Sequence, residues 1–184
     1  MPKKLDKILI IDIEATCWRN KIPLKQKSEI IEIGICVLET TTWERLSKDS
    51  IIVKPSCSEI SPFCTELTTL TPMDVNKGIS LKAACNQLQT RYLSSQYPWA
   101  SYGDYDRKQF ESECRDKQVR YPFGSTHINV KTLLALIQHW ESEVGMTTAL
   151  EKLGLPLEGT LHRGVDDAWN IAQILAGLLM RKSN

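Results

Sequence analysis

Apolar residues crowd the first third of the chain in short dense runs rather than at helical spacing. Lys7 to Ala15 and Glu29 to Leu38 are rich in Ile and Val and almost continuously hydrophobic, so they predict two strands buried on both faces. Ile51-Ile52-Val53, ahead of Pro55, predicts a third strand. The turn before it includes Thr40-Thr41-Thr42, and the close spacing of the three runs suits an antiparallel meander. Beyond residue 70 the period changes. Thr71-Pro72 is an N-cap followed by proline at the first helical position, and Ser80 opens a helix whose Leu81, Cys85, Leu88 and Tyr92 form one stripe. Trp99 to Tyr102 predicts a fourth strand, followed by a helix from about Asp106 to Lys117. A short strand near Ile128-Asn129-Val130 and a helix from Lys131 to Trp140 come next, then a short helix capped by Thr147 and ended by Gly154. The last helix, from about Gly164 to Arg181, lines up Val165, Ala168, Ala172, Leu175 and Leu179, with Arg181-Lys182 at the negative end of its dipole. Strands first and strand–helix alternation afterwards give an α/β protein with a mixed sheet.

Composition narrows the class. With 184 residues, 42% hydrophobic and 24% charged, the chain can bury a real core, and 9 Gly with 8 Pro are too few for a collagen-like or low-complexity polymer. No linker, repeat or long charge block divides it, so one domain spanning 1–184 is expected. The charged N-terminus and the brief apolar run Ile8 to Ile11, ended by Asp12, do not suit a signal peptide, and no stretch reaches the roughly 20 apolar residues of a membrane helix. A cytoplasmic protein with no membrane partner is the expectation. The six cysteines form no C-x-x-C pair and are read as reduced, mostly buried thiols. His127, His139 and His162 do not fall near paired cysteines, so structural zinc is not expected. The net charge of +1 argues against a strongly basic nucleic-acid binder, unless a cluster of carboxylates offsets an otherwise modestly basic surface.

Three segments could supply such a cluster. In Ile10-Ile11-Asp12-Ile13-Glu14-Ala15, strand alternation puts Asp12 and Glu14 on one face and Ile11 and Ile13 on the other. Two carboxylates side by side raise one another's pKa or hold a cation, and oxygen ligands suit Mg²⁺ or Mn²⁺. A solvated strand end carries acids too. Asp106, or Asp104 beside it, follows the fourth strand, where α/β sheets bind ligands; a helix cap accounts equally for either, and spacing does not separate them. In His162-Arg163-Gly164-Val165-Asp166-Asp167, a neutral imidazole in the loop before the last helix could take a proton from water while Asp167 holds a metal. Against this, Asp166 and Asp167 also suit the helix dipole, and His162 an exposed loop.

Taken together, Asp12-x-Glu14, Asp106 and His162-x4-Asp167 resemble the three motifs of the DEDDh 3′–5′ exonucleases, DnaQ-like enzymes. Ile11-Asp12-Ile13-Glu14-Ala15-Thr16-Cys17, Phe63-Cys64-x-x-Leu67-Thr68 and the run from His162 to Ala172 look like the enhancer-of-RNAi-type RNA exonucleases and their bacterial relatives. The resemblance covers about residues 7–180. It implies an RNase H-like fold with a five-stranded mixed β-sheet flanked by helices. Carried over, it makes Asp12, Glu14, Asp106 and Asp167 ligands of two divalent ions, Mg²⁺ or Mn²⁺, and His162 the general base, with Glu14 also in the catalytic set. Tyr105 before Asp106 and Phe110 four positions after it fit the second motif and favour Asp106 over Asp104.

The implied substrate is single-stranded nucleic acid with a free 3′ end, RNA ahead of DNA, cut to nucleoside 5′-monophosphates by a monomer. Glu14, Ala15, Tyr105, Leu70 and His162 are the expected substrate contacts, with Phe63 and Leu67 as further stacking candidates. Core packing is the competing role for Phe63 and Leu70, and packing is expected for Trp169. The alternatives are a proofreading-type DNA exonuclease and a non-catalytic binding module on the same fold.

Overall fold

The structure is a computed structural model and describes residues 4–180. Its frame is one five-stranded sheet in the order β3-β2-β1-β4-β5. Strands β1 (Lys7–Ala15), β2 (Ile30–Glu39) and β3 (Arg45–Ile52) form the antiparallel meander. Strands β4 (Trp99–Ser101) and β5 (His127–Asn129) run parallel to β1. The central strands are buried on both faces because both faces are covered. Leu9, Ile11, Ile13, Ile33 and Ile35 pack with Leu88 of α3 (Leu81–Arg91) and Phe110 of α4 (Tyr105–Asp116). On the opposite face Ile8, Ile10, Cys36 and Leu38 pack with Ala168, Ile171 and Leu175 of α7 (Gly164–Met180).

Strand β3 begins six residues earlier than the Ile51 run suggests. It is an edge strand, and its alternation of half-buried and exposed positions, Arg45 to Ser50, carries little apolar signal. Helix α1 (Pro62–Thr68) was not foreseen, although Ser61 accepts from the Cys64 N–H and Pro62 opens the helix. Helix α2 (Pro72–Asn76) has the expected Thr71 cap, made reciprocal by Asp74. Helix α5 spans Val130–Ile137. Helix α6 (Met146–Leu153) is a correction: its N-cap is Gly145, and Thr147 lies inside the first turn. The expected dipole partners Arg181 and Lys182 lie outside the described residues. Among the described residues, no helix is long and apolar enough to cross a membrane.

One close approach fixes the geometry that matters for chemistry. Gly34, opposite Asp12 in the β1–β2 register, lies directly under the start of α7. A Cβ there would sit 1.8 Å from the Gly164 carbonyl oxygen, so only glycine lets α7 reach the sheet at this point. The first turn of α7 is thereby pressed against the end of β1.

Candidate active site

Alternation along β1 carries Ile8 and Ile10 into the core under α7 and continues on the same face to Asp12 and Glu14. Both carboxylates reach a cleft of about 470 Å³ shared with Tyr102, Tyr105, Asp106, Thr147, His162 and Asp167, among others. Asp106, on the first turn of α4, comes in from the β4 side. Where β1 and β4 diverge, the Ile13 N–H is left without a strand partner and donates to Asp106 Oδ1 at 3.0 Å. Asp106 is 4% exposed, while Asp104 turns outward to Arg107 and is 40% exposed at its side chain, so burial separates two residues that spacing did not.

The third approach is the loop before α7. His162 has φ 58°, a left-handed conformation uncommon for a side-chain-bearing residue, and its N–H donates to Asp167 Oδ2 at 2.9 Å. Its ring is exposed at the cleft mouth. Donor atoms of Glu14, His162 and Asp167 lie within 4.8 Å of one another. Asp166 points elsewhere, to Lys48 and the Thr160 N–H.

These four carboxylates repel one another in poor solvation. Burial first, then the charges of Asp106, Asp167 and Glu14, raises the Asp12 carboxyl well above its usual range. Burial followed by Asp167, Glu32 and Asp106 pushes Glu14 up to about 8. Asp167 is pushed up to about 7 by burial, against the pull of the His162 N–H. Asp106 is raised by burial to about 6, the Ile13 N–H opposing the rise. Oδ1 of Asp167 is buried with no hydrogen-bond partner among the described residues. An all-oxygen donor set, mutual repulsion and an orphaned carboxylate oxygen are what a divalent cation would satisfy.

Among the residues expected to touch substrate, Tyr105 lines the cleft and is 57% exposed. Ala15 lies beyond the register shift that ends the β1–β2 ladder, its carbonyl accepting from Cys64 Sγ at 3.7 Å. Leu70 is corrected: it is 3% exposed, packed with Ile31, Cys64 and Val75, and offers no face to a base. Phe63 is half-buried under the Arg19 guanidinium, 5.1 Å from its ring centroid. Trp169 packs as expected, with Arg45 over its ring and its Nε1 donating to Glu158.

One residue of the neighbourhood, Glu32, went unread in the sequence. Glu32 lies opposite Glu14 in register and is fully buried. It accepts from Arg163 Nε and Nη2 (3.1 and 3.2 Å), Ser50 Oγ (2.6 Å) and the Gly164 N–H (3.0 Å). Arg163 and Gly164 directly follow His162, so Glu32 ties the histidine loop to the sheet. The signal was available: an acid inside the apolar run Ile30-Ile31-Glu32-Ile33 requires a partner.

A mixed sheet of this order, with carboxylates converging from its central strand and from the starts of two helices, defines the RNase H-like class of divalent-cation nucleases. The chain belongs to the exonuclease family of the RNase T type, whose profile matches residues 9–175. It is 32% identical to mouse 3′-5′ exoribonuclease 1 over 184 residues, covering 95% of this chain and 53% of that protein. The chain spans about half the length of that relative. The nuclease domain of 3′hExo, a DEDDh family member solved bound to rAMP, superposes with a TM-score of 0.85 at 30% identity, over 98% of this chain and 95% of that one. Escherichia coli exonuclease I in complex with a dT13 oligonucleotide shares the fold alone, at 9% identity and a TM-score of 0.70, over 97% of this chain and 42% of its own.

Proposed function

We propose that this chain is a metal-dependent 3′–5′ exonuclease that hydrolyses the 3′-terminal phosphodiester of single-stranded nucleic acid, RNA ahead of DNA, and releases nucleoside 5′-monophosphates. The observation that carries the reading is the convergence of Asp12, Glu14, Asp106 and Asp167 with His162 in one cleft, with the Asp167 Oδ1 left unpartnered among the described residues. The preference for RNA is supported by the mouse relative's name, an exoribonuclease, and by the rAMP bound to the 3′hExo nuclease domain.

The four carboxylates would hold two divalent cations, Mg²⁺ or Mn²⁺, which when bound neutralise the cluster and the scissile phosphate and lower the pKa of the attacking water. His162 stands at the mouth of the cleft with its ring free to accept a proton from that water. Its backbone N–H on Asp167, and Glu32 holding Arg163 and Gly164, fix where that ring can reach. Tyr105 offers an exposed aromatic face on the cleft rim for the terminal base. We place the activity in a cytoplasmic monomer built as a single domain, the compartment argued from six cysteines that are all free thiols.

The test is a time course on 5′-labelled single-stranded RNA and DNA of one sequence, with Mg²⁺, with Mn²⁺ and with EDTA. A metal-dependent ladder shortening from the 3′ end, faster on RNA, is expected. Equal or faster shortening of DNA would replace the substrate by a proofreading-type one. No shortening by folded protein in either metal would leave a binding module on a nuclease fold.

A further inference from the structure

The cleft accepts the end of a strand, and a strand has to leave it somewhere. The segment between β1 and β2 starts immediately after Glu14 and Ala15, at the end of the strand that feeds the cleft. From Cys17 through Ser28 it carries Arg19, Lys21, Lys25 and Lys27 and not one Asp or Glu. Its two stems are pinned together and to the cleft. Thr16 Oγ1 donates to the Lys27 carbonyl and accepts from the Glu29 N–H, both at 3.0 Å. Ser61 Oγ donates to the Cys17 carbonyl (2.6 Å) and Gln109 Nε2 to that of Ser28 (3.0 Å).

Between these stems the tip is open. Lys21 and Lys25 are exposed and form no ion pair among the described residues. Arg19 and Lys27, nearer the stems, pair with Glu66 (2.7 Å) and Asp116 (3.4 Å). The apolar residues between the cations face water as well, Ile22 at 54% and Leu24 at 95% exposed. Across the cleft the segment leading to α6 is acidic instead, with Glu141 unpaired among the described residues and Glu143 near Lys131. The field at the cleft mouth therefore favours departure of a polyanion over the β1–β2 side.

We propose that residues 18–27 form an arm that grips the polynucleotide upstream of its 3′ end, Lys21 and Lys25 binding backbone phosphates while Ile22 and Leu24 lie against unstacked bases. The inference rests on the exonuclease reading for the direction of the strand. Alternation of cations with exposed apolar groups is the chemistry a single strand presents in reverse, charge on its backbone and flat apolar surface on its bases. A duplex, with its bases stacked inside, would use the cations alone. The arm thus selects for single strands long enough to extend past the cleft.

The experiment compares wild type, the double variant Lys21→Ala/Lys25→Ala and, as a surface control, Lys77→Ala/Lys82→Ala. Each is given a dinucleotide and a 12-nucleotide oligoadenylate. The arm variant should raise KM on the 12-mer about tenfold, leave kcat and dinucleotide hydrolysis unchanged, and weaken the salt dependence, its log–log slope falling by about 1.4 for two lost phosphate contacts. The control should behave as wild type. If wild type degrades the 12-mer and the arm variant matches it in KM and salt slope, the arm is refuted while the exonuclease reading stands. If wild type degrades nothing, the exonuclease reading fails, and 12-mer affinity by fluorescence anisotropy decides the arm: a loss confined to the arm variant supports it, and equal affinities refute it.

Discussion

Two groups of buried carboxylates occupy the same two strands and their neighbours, and the structure treats them in opposite ways. Asp12, Glu14, Asp106 and Asp167 share a cleft with no cation in contact with them among the described residues; burial raises all four, and repulsion from the other acids adds to it at Asp12, Glu14 and Asp167. Glu29, Glu32 and Glu113 are buried as deeply but saturated. Glu29 accepts from the N–H groups of Ser56, Cys57 and Ser58 and pairs with Lys117 at 2.7 Å. Glu113 holds the Ile30 N–H and the same Lys117, and Glu32 holds Arg163. Burial alone would raise Glu29 too, but the Lys117 ammonium and the Ser56 donors outweigh it and hold the carboxyl well below its usual range. Burial of an acid therefore says nothing about its role; whether the fold supplies its partners does.

Removing a charge from each group should have opposite consequences. Asp12→Asn or Asp167→Asn is expected to abolish hydrolysis while the metal-free protein melts at or above the wild-type temperature, because repulsion is relieved. Activity and differential scanning calorimetry in EDTA check this together. A variant that melted lower yet kept its turnover would reverse the roles given to the two groups. Glu29→Ala, in contrast, should cost about 3–5 kcal/mol, since it strands three backbone N–H groups and leaves the half-buried Lys117 with Glu113 alone. Urea titration measures it, and a loss under about 1 kcal/mol would mean that water replaces the carboxylate at no cost.

The boundary between the groups is Glu32, saturated itself yet directly opposite Glu14 in the β1–β2 register. His162→Ala should lower turnover by roughly 10² through loss of the base. Glu32→Gln should act on the same step more weakly, about tenfold to a hundredfold, by loosening Arg163 and Gly164 beneath the histidine loop. The double variant separates the two: if Glu32 works through His162, the losses will not add. Additive losses would make Glu32 a purely structural acid.

This division was only half legible in the sequence. Strand β1 was read to the residue, because an apolar run ending in D-x-E signals both a buried strand and the acids at its tip. The convergence of Asp106 and Asp167 came from family motifs, since three-dimensional proximity leaves no trace in local spacing. The family motif favoured Asp106 over Asp104, and the Ile13 N–H and burial supply the physical reason. The saturated acids were passed over. Apart from Lys117, one helical turn from Glu113, their partners lie up to 132 positions away, as Gly164 does from Glu32, where nothing local connects them. The start of strand β3 and the burial of Leu70 were missed for a related reason, because an edge strand hides its period and an apolar residue does not say which surface covers it.

The comparison has its mildest and most general expression in pH. For the cleft group the folded pKa values lie above the unfolded ones. Their contribution to stability is complete below about pH 4 and is lost as pH rises through about 6 for Asp106, 7 for Asp167 and 8 for Glu14. For Glu29 the folded pKa is depressed, so its contribution is present above about pH 4.3, the unfolded value, and is lost as pH falls toward its low folded pKa. The metal-free protein should thus be most stable in mildly acid solution and lose several degrees of Tm between pH 5.5 and 8.5, at about 2–4 °C per kcal/mol. Saturating Mg²⁺ should flatten that decline, because a cation replaces the protons that the cleft otherwise has to hold. A Tm that rose steadily to pH 8.5 in EDTA would show that the cleft acids are solvated and unstrained, and would remove the physical ground for separating them from the saturated group.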